Sequence, residues 1–161
     1  MKAVVDNTVL SNFALIHGET LLHRIFSGEL YTVEEVLHEL HVGEQRDSVP
    51  ERNWSWIQTI RLEREQEVAT FMRLKQRFGI GESACLSVAI HHHLQILTDD
   101  LDVRKYAQRQ GIPVSGTIGV LVLGVKQSIL SLDEGNSLLV QMIQQGYYSP
   151  FSSLNGLLSD E

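Results

Sequence analysis

Apolar positions along this chain follow two rhythms, one of strands and one of helices. Ala3, Val4 and Val5 form a short continuous apolar run that ends at Asp6, the pattern of a buried strand. Asp6, Asn7 and Thr8 then offer capping chemistry to an amphipathic helix carrying Leu10, Phe13, Ala14 and Ile16. Leu21, Leu22, Ile25 and Phe26 predict a second helix, and residues 30–33 a second strand. A helix over 34–41 follows, with Val33, Val36, Leu37 and Leu40 on one stripe. Residues 43–53 are polar and predict an exposed loop. A strand is expected near 57–60, then a highly charged helix over 65–78 broken by Gly79, Ile80 and Gly81. The helix over 82–92 has small and apolar residues all round, so it should be largely buried. A strand over 94–98 ends in acids; a helix over 103–110, closed by Gly111, and a short strand over 112–114 come next. Gly116 and Thr117 open a helix over 118–126, and Asp133 should cap a last helix over 134–145. The tail, 147–161, is expected to add a helical turn or to fray. Strands alternating with helices predict an α/β fold with a mostly parallel sheet, in one domain spanning 1–161.

Composition narrows the function classes. A hydrophobic fraction of 43% excludes disorder. A single cysteine, Cys85, excludes a disulfide scaffold and fits a reducing cytosol. No apolar run approaches the ~20 residues of a membrane span. The stretch before the first acid is too short for a signal peptide. The expectation is a cytoplasmic protein with no membrane partner. Net charge is −7, from 13 Lys and Arg against 20 Asp and Glu. A protein that simply coats phosphates would be basic. Either nucleic acid is no partner, or the acids gather where they hold cations.

Position favours the second alternative. Functional groups in open parallel sheets collect at the carboxyl ends of strands. The first strand delivers Asp6 there, and the strand over 94–98 delivers Thr98, Asp99, Asp100 and Asp102. Glu39 borders the buried stripe of its helix and can lean over the sheet edge, whereas Glu35 should meet solvent. Glu82 opens the buried helix after Gly81. Such acids without matching Lys or Arg would repel one another and raise their own pKa values. A divalent cation resolves this, and oxygen-only ligands select Mg²⁺ or Mn²⁺ over Zn²⁺. Capping explains Asp6 and Glu82 singly, but not the whole set.

These residues resemble the PIN-domain family of metal-dependent nucleases. The stretch 6–10 (Asp-Asn-Thr-Val-Leu) is similar to the family's first acidic motif and 36–40 (Val-Leu-His-Glu-Leu) to its second. The stretch 79–84 (Gly-Ile-Gly-Glu-Ser-Ala) is similar to the third and 97–104 (Leu-Thr-Asp-Asp-Leu-Asp-Val-Arg) to the fourth. Residues 116–121 also resemble one branch of it, and the likeness runs from about residue 3 to 128. The resemblance implies a three-layer α/β/α sandwich, Mg²⁺ or Mn²⁺ at the acids, and RNA cleavage. It further implies, as in many small relatives, a toxin restrained by a separate antitoxin protein, and a homodimer. The catalytic set it implies is Asp6, Glu39, Glu82 and Asp100, with Asp6, Glu82, Asp99 and Asp100 as metal ligands. Within the fourth motif, aligning on Thr98 favours Asp100 and aligning on the following helix favours Asp99; Asp100 is taken first. Glu82 stands where many members carry Asp.

Supporting roles fall to Thr8, Asn12 and Thr117 near the same edge. Arg104 and Lys105 could steer phosphates, or pair with Asp102. Three further readings favour structure over chemistry. His91, His92 and His93 are adjacent and cannot share one ion on a regular helix. Trp54 and Trp56 are better read as packing than as a stacking surface. Cys85, in a buried helix, lacks a base to activate it. A PIN-like module that binds RNA or protein without cleaving is the alternative function. A receiver or phosphatase reading ranks below both, since 6–8 (Asp-Asn-Thr) lacks a second acid.

Overall fold

A computed structural model describes residues 2–159. Thirteen elements follow in order: β1 (Ala3–Val5), α1 (Asn7–Leu15), α2 (Glu19–Phe26), β2 (Leu30–Val33), α3 (Glu34–Gln45), β3 (Gln58–Ile60), α4 (Glu65–Leu74), α5 (Ile80–His92), β4 (Gln95–Leu97), α6 (Leu101–Arg109), β5 (Val114–Ser115), α7 (Thr117–Lys126) and α8 (Leu132–Gln144). The strands pair in parallel in the order β3-β2-β1-β4-β5. Helices cover both faces, which makes a three-layer α/β/α sandwich. β1 is fully buried because it is central, whereas β3, at an edge, exposes Gln58 and Thr59.

The chain runs from β1 outward to β2 and β3, then crosses back to β4 and β5 on the other side. Strand order therefore reverses between β1 and β4, and a crevice opens beyond their carboxyl ends. Val4 pairs with Ile96 and Val5 with Leu97, and the Asp6 N–H extends that ladder to Leu97 O at 3.0 Å. Asp6 and the residues after Leu97 are thus held side by side by backbone bonds.

α5 lies across β1, β2 and β4, with α4 packed against it. Its buried positions are mostly small (Ser83, Ala84, Cys85, Ser87, Val88 and Ala89), which lets the helix approach the sheet closely. α1, α2, α7 and α8 pack together on the opposite face, and α3 touches both α1 and α5.

Several boundaries differ from the expected ones. α3 continues to Gln45, and the loop after it is pinned rather than free. There the Arg52 guanidinium donates to Ala14 O at 3.1 Å, Trp54 is buried, and Trp56 stacks on His23 at 4.5 Å. α4 ends at Leu74, not near 78, because Phe78 turns inward against Tyr106. α5 begins at Ile80, so Gly81 lies inside its first turn instead of breaking the chain. β5 falls at 114–115, later than the predicted 112–114, with Thr98 N–H reaching Ser115 O. Ser131, not Asp133, caps α8, exchanging side-chain bonds with Glu134. No described helix is long and apolar enough to cross a membrane.

Among the described residues, the segment after α8 adds no helix and is anchored. Leu154 is fully buried, its N–H donates to Asn136 Oδ1 at 2.7 Å, and its side chain lies over Gly135. Leu154→Ala should cost about 2–4 kcal/mol by leaving a cavity, measured as a lower urea midpoint with an unchanged slope.

Candidate functional site

Asp6 caps α1 from the end of β1 and is 2% exposed. Its Oδ1 accepts from Thr8 N–H at 2.8 Å and from the Thr8 hydroxyl at 2.5 Å, and its Oδ2 accepts from the Thr98 hydroxyl at 2.5 Å. Burial, helped by the charge of Asp99 and opposed by those hydroxyl and amide donors, pushes this carboxyl up to about 7.

Asp99 is the better-held of the two acids after β4. Its Oδ1 accepts from Thr117 N–H at 2.8 Å; its Oδ2 accepts from the Thr117 hydroxyl at 2.5 Å and from Asn12 Nδ2 at 2.9 Å. Its own N–H donates to Thr8 Oγ1 at 2.9 Å, tying it to the Asp6 turn. Gly116 makes room for this: a Cβ there would stand 2.4 Å from Asp99 Oδ1. Asp100 instead caps α6, accepting from Val103 N–H at 3.0 Å, and its charge is felt by Glu82. The structure thus sets Asp99 beside Asp6 and Asp100 beside Glu82.

Glu39 and Glu82 meet at the start of α5. Glu39 Oε1 accepts from Gly81 N–H at 3.0 Å, and a Cβ on Gly81 would lie 2.8 Å from both of its oxygens. A carboxylate so placed satisfies a free N–H of the helix and meets its positive end. Glu82 Oε2 accepts from Gly79 N–H at 3.0 Å. Burial raises the Glu82 pKa, the Gly79 amide lowers it, and Asp100 and Glu39 raise it again. Glu35, expected in solvent, is half-buried, and its charge reaches Cys85. Its place in the first turn after β2 is the signal that could have found it. Burial pushes the Cys85 thiol up, with Asp6, Glu39, Glu35 and Glu82 adding to the rise, so it stays protonated.

Arg104 Nη1 donates to Thr98 O at 3.0 Å, while Asp102 and Lys105 are exposed on α6. Asp102 stands outside the hydrogen-bonded cluster. Tyr147, expected in the tail, also belongs to this edge. Burial raises its phenol pKa, the charge of Asp99 raises it further, and Ser149 and Arg104 pull it back. The three histidines diverge, as expected from their adjacency: His91 bonds Thr70 and His92 bonds buried Glu67 at 2.6 Å.

Among the described residues, no Lys or Arg forms an ion pair with Asp6, Glu39, Glu82, Asp99 or Asp100. Nor do any three Asp, Glu, His or Cys side chains stand ready as a closed metal cage. Uncompensated oxygen donors of this kind fit Mg²⁺ or Mn²⁺, which keep several waters and bind through one or two carboxylates plus phosphate oxygens.

The raised Asp6 pKa has a consequence for stability. The folded state holds this proton more tightly than the unfolded chain. The contribution is therefore full below about pH 4 and lost as pH rises through about 7. In EDTA, Asp6→Asn should be more stable than the parent at pH 8, by on the order of 4 kcal/mol at most. Urea titrations should show that difference closing towards pH 4.

Among curated proteins, none matches the chain's sequence. A family model described as PIN domain matches residues 2–160. PIN domains are generally nucleases that use divalent metal ions, in keeping with the acids at this sheet edge. The chain belongs to the PIN-domain family.

Proposed function

We propose that this protein is an Mg²⁺- or Mn²⁺-dependent endoribonuclease. The observation that carries the reading is the pairing of Asp6 with Asp99 at the point where strand order reverses, along an acidic edge that no Lys or Arg neutralises by an ion pair among the described residues. Asp6 and Asp99 would hold the ion, with Glu82 and Asp100 at its margin or at a second ion. Bound there, it supplies Lewis-acid stabilisation of the phosphate and makes a water more acidic.

The chain's own residues have separable tasks. Thr8 and Thr98 orient the two oxygens of Asp6. Asn12 and Thr117 fix Asp99 in one rotamer. Glu39 steadies the first turn of α5, so that Glu82 keeps its place. Glu82, half-buried with its pKa raised by burial, stands where it would carry a proton to or from a reacting oxygen. Arg104 and Lys105 offer positive charge to RNA phosphates beside the acids. The reading extends to a cytoplasmic toxin restrained by an antitoxin protein and acting as a homodimer. Exposed Val68 and Met72, one turn apart on α4, offer apolar surface for pairing.

The chain's own amides and hydroxyls already satisfy the oxygens of Asp6 and Asp99, which favours a second reading, a PIN module that binds RNA without cutting it. Cleavage of a structured-RNA panel with Mn²⁺, against an EDTA control, separates the two. Asp6→Asn and Asp99→Asn should each lower the rate by at least about 100-fold. Uncut RNA, with no Mn²⁺ bound by calorimetry, would favour the second reading.

Asn12→Ala should weaken the apparent Mn²⁺ affinity about tenfold while the fold persists. An unchanged Mn²⁺ titration would remove Asn12 from the supporting set.

A further inference from the structure

The chain leaves α8 through Gly146, whose φ of +113° is a conformation that side chains rarely adopt. Tyr147 N–H then closes on Met142 O at 2.9 Å, and the ring is buried. α8 itself packs on α1 and α7, the two helices that supply Asn12 and Thr117 to Asp99. Beyond Tyr147 the backbone is tied again. The Ser149 hydroxyl donates to Phe151 O at 2.5 Å and accepts from Phe151 N–H at 3.1 Å, and Pro150 between them has its φ fixed by its ring. Leu154 anchors the far end in the core.

The result is a strap buried at both ends that leaves its middle aromatics in water. Tyr148 is 97% exposed and Phe151 46% exposed. Ordering such a segment costs conformational entropy; Tyr148 repays none of it by burial within the chain and Phe151 only part. Exposed aromatic faces on an anchored backbone are what unpaired bases stack on, and the charges of Asp99 and Arg104 reach the neighbouring Tyr147. The acidic edge reaches phosphates only through cations, so contact with bases would supply the affinity it lacks.

We propose that residues 147–151 form a base-stacking platform for single-stranded RNA, with Tyr148 and Phe151 as the stacking faces and Tyr147 fixing the strap against the acidic edge. The proposal rests on the ribonuclease reading above, because it places unpaired nucleotides next to the acids.

The test is binding of a short unstructured RNA carrying 2-aminopurine, with Ca²⁺ in place of Mn²⁺ to slow cleavage. The double variant Tyr148→Ala/Phe151→Ala should bind at least about tenfold more weakly and lose the fluorescence quenching that stacking produces. Tyr148→Trp in the parent should retain both. An abasic oligomer of the same length should bind parent and double variant alike. Equal RNA affinities for the parent and the double variant would overturn the platform and leave the ribonuclease reading standing. Loss of self-association by sedimentation, with RNA affinity intact, would assign the rings to a second copy and also overturn it. A parent protein that binds no RNA at all would overturn the ribonuclease reading and the platform with it.

Discussion

A carboxylate buried at the end of a central strand is costly unless something compensates its charge. Asp6 is in that position. Its neighbours Ala3, Val4 and Val5 are fully covered, and the groups bonded to it are hydroxyls and an amide, not a cation. Much of the local architecture follows from this. Thr8 serves Asp6 and also receives the N–H of Asp99, so one hydroxyl couples the turns after β1 and β4. Thr98 does the same, holding Asp6 through its proton and the Asp100 N–H through its oxygen. The sheet sets the spacing of the two turns, and these hydroxyls set the orientation of the acids within it.

Helix starts do the remaining work. Asp6 and Asp100 cap α1 and α6, Glu39 and Glu82 bond amides at the start of α5, and Asp99 accepts the Thr117 N–H at the start of α7. Each acid thus meets a free amide and the positive end of a helix dipole. That offsets part of the mutual repulsion without adding Lys or Arg, which would compete for the same oxygens. The oxygens that meet these helix starts are the same ones a metal ion would use, so the capping and metal-binding readings of these residues are compatible.

The strands and helices were legible because their apolar patterns are strong: β1 is uniformly apolar and α5 is small and apolar all round. The PIN family and the layered fold could be read from four acidic motifs in order. Boundaries were less legible where a tertiary contact overrode the local pattern. Phe78 leaves the α4 pattern to pack on Tyr106, and Ser131 outcompetes Asp133 as a cap because Glu134 completes its box. The different hydrogen-bond surroundings of Asp99 and Asp100 were not legible either. They depend on Asn12 and Thr117, which lie 87 and 18 residues away in the chain from Asp99. Tyr147 was hidden for a similar reason. Nothing local marks a tail residue that folds back on the site, except the glycine that turns the chain towards it.

Gly81 shows how such a site constrains the history of its sequence. The space a Cβ would occupy there is filled by the carboxylate of Glu39, forty-two positions earlier in the chain. A Cβ there would push the flexible Glu39 carboxylate off the Gly81 amide, so a lineage that kept this contact would keep the glycine. One that lost the acid would be free to place alanine at that point and gain helix propensity. Positions 39 and 81 are therefore expected to drift together, so that the residue at the start of α5 reports whether a descendant still keeps that contact.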